Sequence, residues 1–286
     1  MAKDLENYKW DDAGAYDGRN LSYASPLDPW FKRNMIRFIE TISGRNTILR
    51  IYRSLLNEGV TPWDVWGRAL EKLDIKMDYD EAQLAKTPKE GPVIFVANHP
   101  FGVIDGAILL HLATRVRKDY FLLINEVLSH EPFLTDHLLP IDFRNAPDAK
   151  ATNEKTKVMT TERLRNGEVL LIFPSGGVAT RTSFFSKEVT EFRWNKFIGD
   201  RIHETQCSIM PLYFHGENSW LFHFVSKLSM NLRLGLLLRE IFNKRGKTFR
   251  IEIGDPIHYD EMKQYGESIP LINYLRERTM ALGPKK

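Results

Sequence analysis

From residue 91 onward, short apolar runs alternate with longer amphipathic stretches, and this alternation limits the folds open to the chain. The strand-like runs cover residues 93–97, 120–124, 138–143, 169–173, 209–214 and 249–253. Helix-like runs lie between them at 104–116, 149–165, 194–204, 220–229 and 232–243, and 259–281 reads as a closing helix. Strands that alternate with helices pack as a sheet covered by helices on both faces. The expectation is therefore an α/β fold with a mixed, mostly parallel sheet flanked by helices.

The region before this pattern reads differently. Residues 1–26 are polar and suggest an extended arm. Residues 30–43 place Phe31, Met35, Phe38, Ile39 and Ile42 on one helical face, and Gly44 ends that helix. A second helix continues over 47–56, and a third over 63–73, with Thr61 as cap and Pro62 at its first position. The break at 88–91 divides the chain into an N-terminal arm and helical segment (1–90) and a main domain (91–286).

No basic start leads into an apolar run, so no signal peptide is expected. No uncharged stretch approaches the roughly 18 residues that span a bilayer. With 43% hydrophobic residues in a chain of 286, there is material for a sizeable core. The net charge of +3 carries no message about partners. Cys207 is the one cysteine; without a disulfide framework it reads as a buried structural thiol in a reducing compartment. No Cys/His cluster points to a metal.

Four segments carry chemistry. The first is Asn98-His99-Pro100-Phe101-Gly102-Val103-Ile104-Asp105-Gly106, which follows an apolar strand and opens a helix. Open sheets place their sites at such strand ends. A histidine there can take a proton from a hydroxyl near neutral pH, and Asp105 can orient its ring. The alternative is a loop histidine and a helix-capping aspartate. The second is Phe173-Pro174-Ser175-Gly176-Gly177. Paired glycines after a strand bring backbone N–H groups close to an oxyanion or phosphate, or simply form a tight turn. Phe173 stands where a serine elbow needs glycine, which disfavours a covalent serine. The third ends in Arg144, either an anion ligand or a surface arginine. The fourth, 209–219, is a core strand leading to His215 and Glu217, which either reach the site or serve structure.

In this order the segments resemble the glycerolipid acyltransferase family, typified by 1-acylglycerol-3-phosphate acyltransferase. That family carries a His-x4-Asp box, an arginine segment, Phe-Pro-Glu-Gly-Thr-Arg, and an apolar strand with a proline. Here His99 and Asp105 match the first, Arg144 the second, Phe173, Pro174 and Gly176 the third, and Pro211 the fourth, over roughly residues 91–256. There are two departures. Five residues separate His99 from Asp105, as in the hemolysin-like branch that is similar to enzymes acylating lyso-ornithine lipids. Ser175 replaces the glutamate, and Gly177-Val178 stands for Thr-Arg, with Arg181 further on. These losses point to an acceptor without a phosphate monoester.

The resemblance implies transfer of a fatty acyl group from acyl carrier protein or coenzyme A thioester to a lysolipid hydroxyl. His99 is then the base and Asp105 its orienting partner. Asn98, Gly102, Arg144, Phe173, Pro174, Ser175, Gly176 and Gly177 lie around the substrate, backbone amides near Gly176 steady the oxyanion, and no cofactor or metal is bound. It implies a peripheral enzyme at the cytoplasmic face of the inner membrane. The competing readings keep the fold with a lysophospholipid acceptor, make the chain a non-enzymatic lysolipid-binding or membrane-active protein, or have His99 activate water in a hydrolase.

Two segments have the composition for membrane docking, residues 30–56 and 218–250. Each sets apolar and aromatic residues beside basic ones; in the second these include Lys227, Arg233, Arg239 and Lys244. The alternative is that these helices pack on the sheet. Nucleic acid is not an expected partner, since no recognised binding motif is present.

Overall fold

Val93–Ala97 (β2) is a run of five apolar residues, all buried. A strand can bury every residue only if both faces of its sheet are covered. Alternate side chains of β2 indeed enter different cores: Val93, Phe95 and Ala97 pack with Leu70, Ile104 and Phe249, whereas Ile94 and Val96 pack with Leu164, Ile198 and Leu271.

The computed structural model describes residues 29–284 apart from 127–128, 130–131, 145, 184–185, 187 and 229. The arm expected over 1–26 lies outside the described residues. Seven strands form the sheet: β1 (Lys76–Asp78), β2, β3 (Tyr120–Asn125), β4 (Leu138–Ile141), β5 (Val169–Ile172), β8 (Ser208–Phe214) and β9 (Thr248–Ile253), in the order β1-β9-β8-β2-β5-β3-β4. All neighbours are parallel except β8 and β9. The short strands β6 (Thr180–Arg181) and β7 (Val189–Thr190) pair separately. The sheet is thus mixed and mostly parallel, flanked by helices. α3 (Val65–Lys72) and α5 (Val103–Val116) line one face; α6 (Pro147–Arg165), α7 (Phe197–Thr205) and α11 (Ser268–Met280) line the other. Strand β1 brings residues before Gly91 into the same sheet.

Several element ends differ from expectation, each for a local reason. At α3 the turn is closed by Asp64, whose Oδ1 accepts from the Thr61 N–H (2.6 Å) and hydroxyl (2.9 Å), so the helix starts at Val65. α7 starts at Phe197, leaving Trp194 buried in the preceding loop. The closing helix is two, α10 (Tyr259–Met262) and α11, because Pro270 is tolerated only in a helix's first turn. At the other end of the chain, α1 (Trp30–Ile42) and α2 (Arg45–Asn57) meet at Gly44, whose φ of 94° suits glycine.

The second expected docking segment is mostly interior. In α8 (Trp220–Leu228) and α9 (Met230–Asn243), Phe222, Arg233, Leu236, Leu237 and Ile241 are buried, and so is Lys244 just after α9. These helices pack on the rest of the fold; Trp220 and Phe224 stay exposed. Among the described residues, no helix is long and apolar enough to cross a membrane.

Candidate active site

Parallel pairing aligns the carboxyl ends of β8, β2 and β5 at the centre of the sheet, with Val96 opposite both Ile172 and Pro211. His99 follows β2 there, and the turn of residues 173–177 follows β5. The ring of His99 stacks on that of Phe173, with centroids 4.0 Å apart and planes 19° from parallel. Its Nδ1 lies 3.1 Å from Oδ2 of Asp105, which is fully buried in the first turn of α5. The contact falls outside hydrogen-bond geometry, and the carboxylate is held by the backbone: Oδ2 accepts from Phe101 N–H and Oδ1 from Gly106 N–H, both at 2.9 Å. Nδ1 is sealed from solvent while the side chain keeps 16% exposure, so the accessible edge of the ring is the Nε2 side.

Five intervening residues still bring the pair together because Gly102 folds the connection back. Its φ of 94° and ψ of −105° are reserved for glycine, and a Cβ there would sit 2.7 Å from Leu237 Cδ2. Gly102 therefore shapes the loop. Asn98, expected beside the substrate, is engaged elsewhere: Nδ2 donates to Phe214 O (3.0 Å) and Oδ1 accepts from Phe214 N–H (2.7 Å). It ties the end of β8 to the histidine loop.

In the second segment Gly176 N–H donates to Phe173 O (2.9 Å), with φ at 66°. That donor closes the turn. The N–H groups of Ser175 and Gly177 have no protein acceptor among the described residues. Ser175 Oγ donates to Gly177 O (3.1 Å), and Pro174 O accepts from Asn195 N–H (3.0 Å). Phe143 packs against Gly176, which brings the end of β4 to the same turn.

The arginine positions are paired. Arg144 donates to Asp142 and Asp148 through Nη2 (2.6 and 2.8 Å), and its guanidinium holds the Asp142 carboxyl below its ordinary pKa. Arg181 meets Glu217 (3.3 Å), which also lies 3.1 Å from Nε2 of the buried His223. His215 faces Glu252 at 3.4 Å, so Glu217 joins a neighbouring cluster and His215 turns to β9.

Two buried charged groups near the site had no sequence signal. Glu191 accepts from Trp194 Nε1 (2.8 Å); burial raises its pKa, against the opposing pull of Trp194, His99, Arg276 and Ser175. Lys244 donates to Glu240 (2.6 Å) and Asn218 (2.8 Å), and Asn218 in turn donates to Phe101 O (3.2 Å). A glutamate in a polar stretch and a lysine among other basic residues follow no pattern that marks them as interior. Among the described residues no group of three or more His, Cys, Asp and Glu is placed to hold a metal.

A family model described as acyltransferase matches residues 35–285. A lyso-glycine lipid O-acyltransferase of Phocaeicola vulgatus is 26% identical over 195 residues, or 66% of this chain and 66% of that protein. A protein of the same name from Bacteroides thetaiotaomicron is 26% identical over 197 residues, 66% of this chain and 68% of that one. The chain thus spans about two thirds of the length of the curated relatives it matches. The crystal structure of the 1-acyl-sn-glycerophosphate (LPA) acyltransferase PlsC of Thermotoga maritima aligns with a TM-score of 0.46 and 13% identity, over 87% of this chain and 96% of that one.

Proposed function

This chain belongs to the acyltransferase family, and from that premise we propose that it moves a fatty acyl group from a thioester to the hydroxyl of a lysolipid. The observation that carries this reading is the His99–Asp105 pair, inward at Nδ1 and accessible at Nε2, beside a turn with two uncommitted backbone N–H groups. His99 Nε2 takes the proton of the acceptor hydroxyl as its oxygen bonds to the thioester carbon. The Ser175 and Gly177 N–H groups steady the oxyanion of the tetrahedral intermediate. The C–S bond then breaks, and His99 returns the proton to the leaving thiolate. Asp105, 3.1 Å from Nδ1, keeps that nitrogen protonated once the His99 ring turns into alignment with it.

The donor in this proposal is acyl carrier protein or a coenzyme A thioester, without a bound cofactor. The acceptor is a lyso-aminolipid. One feature favours it over lysophosphatidic acid: Arg144, the candidate anion ligand, and Arg181 are each held by carboxylates of the chain. The curated relatives are named for a glycine head group, and we narrow the proposal to that class.

We assign docking to the membrane surface to α1, whose Trp30, Phe31, Phe38 and Ile42 are exposed, with Trp220 and Phe224 of α8. Exposed aromatic residues beside basic ones suit the interface of an anionic bilayer. On this reading the protein is peripheral, at the cytoplasmic face of the inner membrane.

The test supplies acyl carrier protein and coenzyme A thioesters with glycine-headed lysolipid, lyso-ornithine lipid and lysophosphatidic acid, and reads lipids by mass spectrometry. The reading expects a diacylated amino-acid lipid. Efficient acylation of lysophosphatidic acid alone would replace the proposed acceptor.

A further inference from the structure

Buried cations in this fold come with a carboxylate. Arg117 is 2.5 Å from Asp119, Arg201 is 2.5 Å from Glu204, and Lys244 is 2.6 Å from Glu240. Arg233 breaks the rule. It is 5% exposed, yet among the described residues no carboxylate lies within 4.0 Å of it and its sole hydrogen bond runs from Nη2 to Val178 O. Its guanidinium lies 5.5 Å from the Phe222 ring centre and 5.9 Å from that of Phe192. Burial works against its charge, and no carboxylate among the described residues offsets it. An arginine nonetheless stays protonated, and an unpaired buried charge is costly.

The position of this cation is informative. Val178, which it grips, neighbours Ala179, whose N–H donates to His99 O (2.7 Å). Phe192, which it faces, borders Gly177, where an added Cβ would stand 3.2 Å from the ring. Arg233 is therefore attached to the loop that adjoins both halves of the active site. The rest of its planar fork has no protein acceptor among the described residues, and such a fork matches the two oxygens of a carboxylate or phosphate.

We propose that Arg233 binds an oxyanion carried by a substrate, completing with the ligand the ion pair that the fold leaves open. The proposal rests on the lysolipid acyltransferase reading and names what the site recognises beyond the reacting hydroxyl. Two substrates bring such a group: an acceptor with a glycine carboxylate, and a donor with the phosphate of a phosphopantetheine arm.

The experiment measures binding and turnover with ligands matched except for charge. For binding, His99→Ala protein and its Arg233→Met derivative are titrated with neutral vesicles containing the glycine-headed lysolipid or its carboxamide analogue. Loss of a charge-assisted hydrogen bond changes affinity about tenfold or more. An acceptor anion predicts at least that preference for the carboxylate, abolished by Arg233→Met. For turnover, wild type and Arg233→Met are compared with acyl-pantetheine and acyl-phosphopantetheine donors. A donor anion predicts that the variant loses the KM advantage of the phosphate and leaves the acceptor preference in place. Either pattern supports the subsite and identifies its source. Unchanged charge preferences in both arms would overturn it.

Arg233→Lys keeps the charge without the fork and guards against a Met variant that does not fold; it should retain part of the preference. Wild type that ignores charge in both ligand pairs overturns the proposal without any variant. Wild type that makes no diacylated lipid refutes the transferase reading separately, because the binding arm needs no turnover.

Discussion

His99 and Asp105 approach to 3.1 Å between Nδ1 and Oδ2, with the carboxylate fully buried and anchored by two backbone N–H groups. The aspartate is thus fixed before any substrate arrives, and the histidine is the partner free to adjust. In Asp105→Asn only one oxygen remains to serve Phe101 N–H, Gly106 N–H and the imidazole. Turnover should fall by about 10²–10⁴-fold. Steady-state kinetics with circular dichroism checks this; full activity would remove Asp105 from the mechanism.

Asn98 is predicted to matter for stability. Asn98→Ala removes two hydrogen bonds and leaves Phe214 N–H and C=O unpaired in the interior. The expected loss is about 2–4 kcal/mol, read from urea unfolding. A variant as stable as wild type but unable to bind lysolipid would restore the substrate-contact role.

Glu191 should make stability depend on pH. Burial raises its folded pKa above the ordinary value of 4.5, so the folded state holds this proton more tightly than the unfolded chain. Its contribution is therefore least unfavourable at acid pH, and stability is lost as pH rises from 4.5 through the folded pKa. Glu191→Gln keeps an acceptor for Trp194 and removes the charge. It should be more stable than wild type at pH 8, with the gain shrinking towards pH 4. Equal destabilisation at both pH values would mean that hydrogen bonding alone governs this position.

The docking proposal predicts a separation of binding from folding. Trp30 and Phe31 are more than two-thirds exposed, so replacing both by alanine should leave the melting temperature in place. Burying such a side chain in an interface contributes about 1.5–3 kcal/mol, so partition onto anionic vesicles should drop at least tenfold. Unaltered partition would move the membrane contact to another surface.

The central strands were legible in the sequence because complete burial leaves an unbroken apolar run, as in β2. Strand β1 was not: three residues at a sheet edge, Lys-Met-Asp, carry no periodicity. The histidine box and the glycine turn could be read because chemistry restricts residue types there, but their hydrogen-bond partners could not. Nothing local in Asn98 says that it holds a strand 116 residues away. Charged residues misled most. Arg233 and Lys244 look like the basic border of a docking helix, yet both are interior. Burial of a charge is decided by tertiary partners that one-dimensional patterning does not contain.

The most direct test of direct acyl transfer compares wild type with His99→Ala, using a radiolabelled acyl thioester and the glycine-headed lysolipid in one assay that separates diacylated lipid from free fatty acid. The account predicts diacylated lipid from wild type and a loss of about 10²-fold or more in the variant, with its fold intact. Label released as free fatty acid would make water the nucleophile, and diacylated lipid formed equally by the variant would show that His99 is not the base.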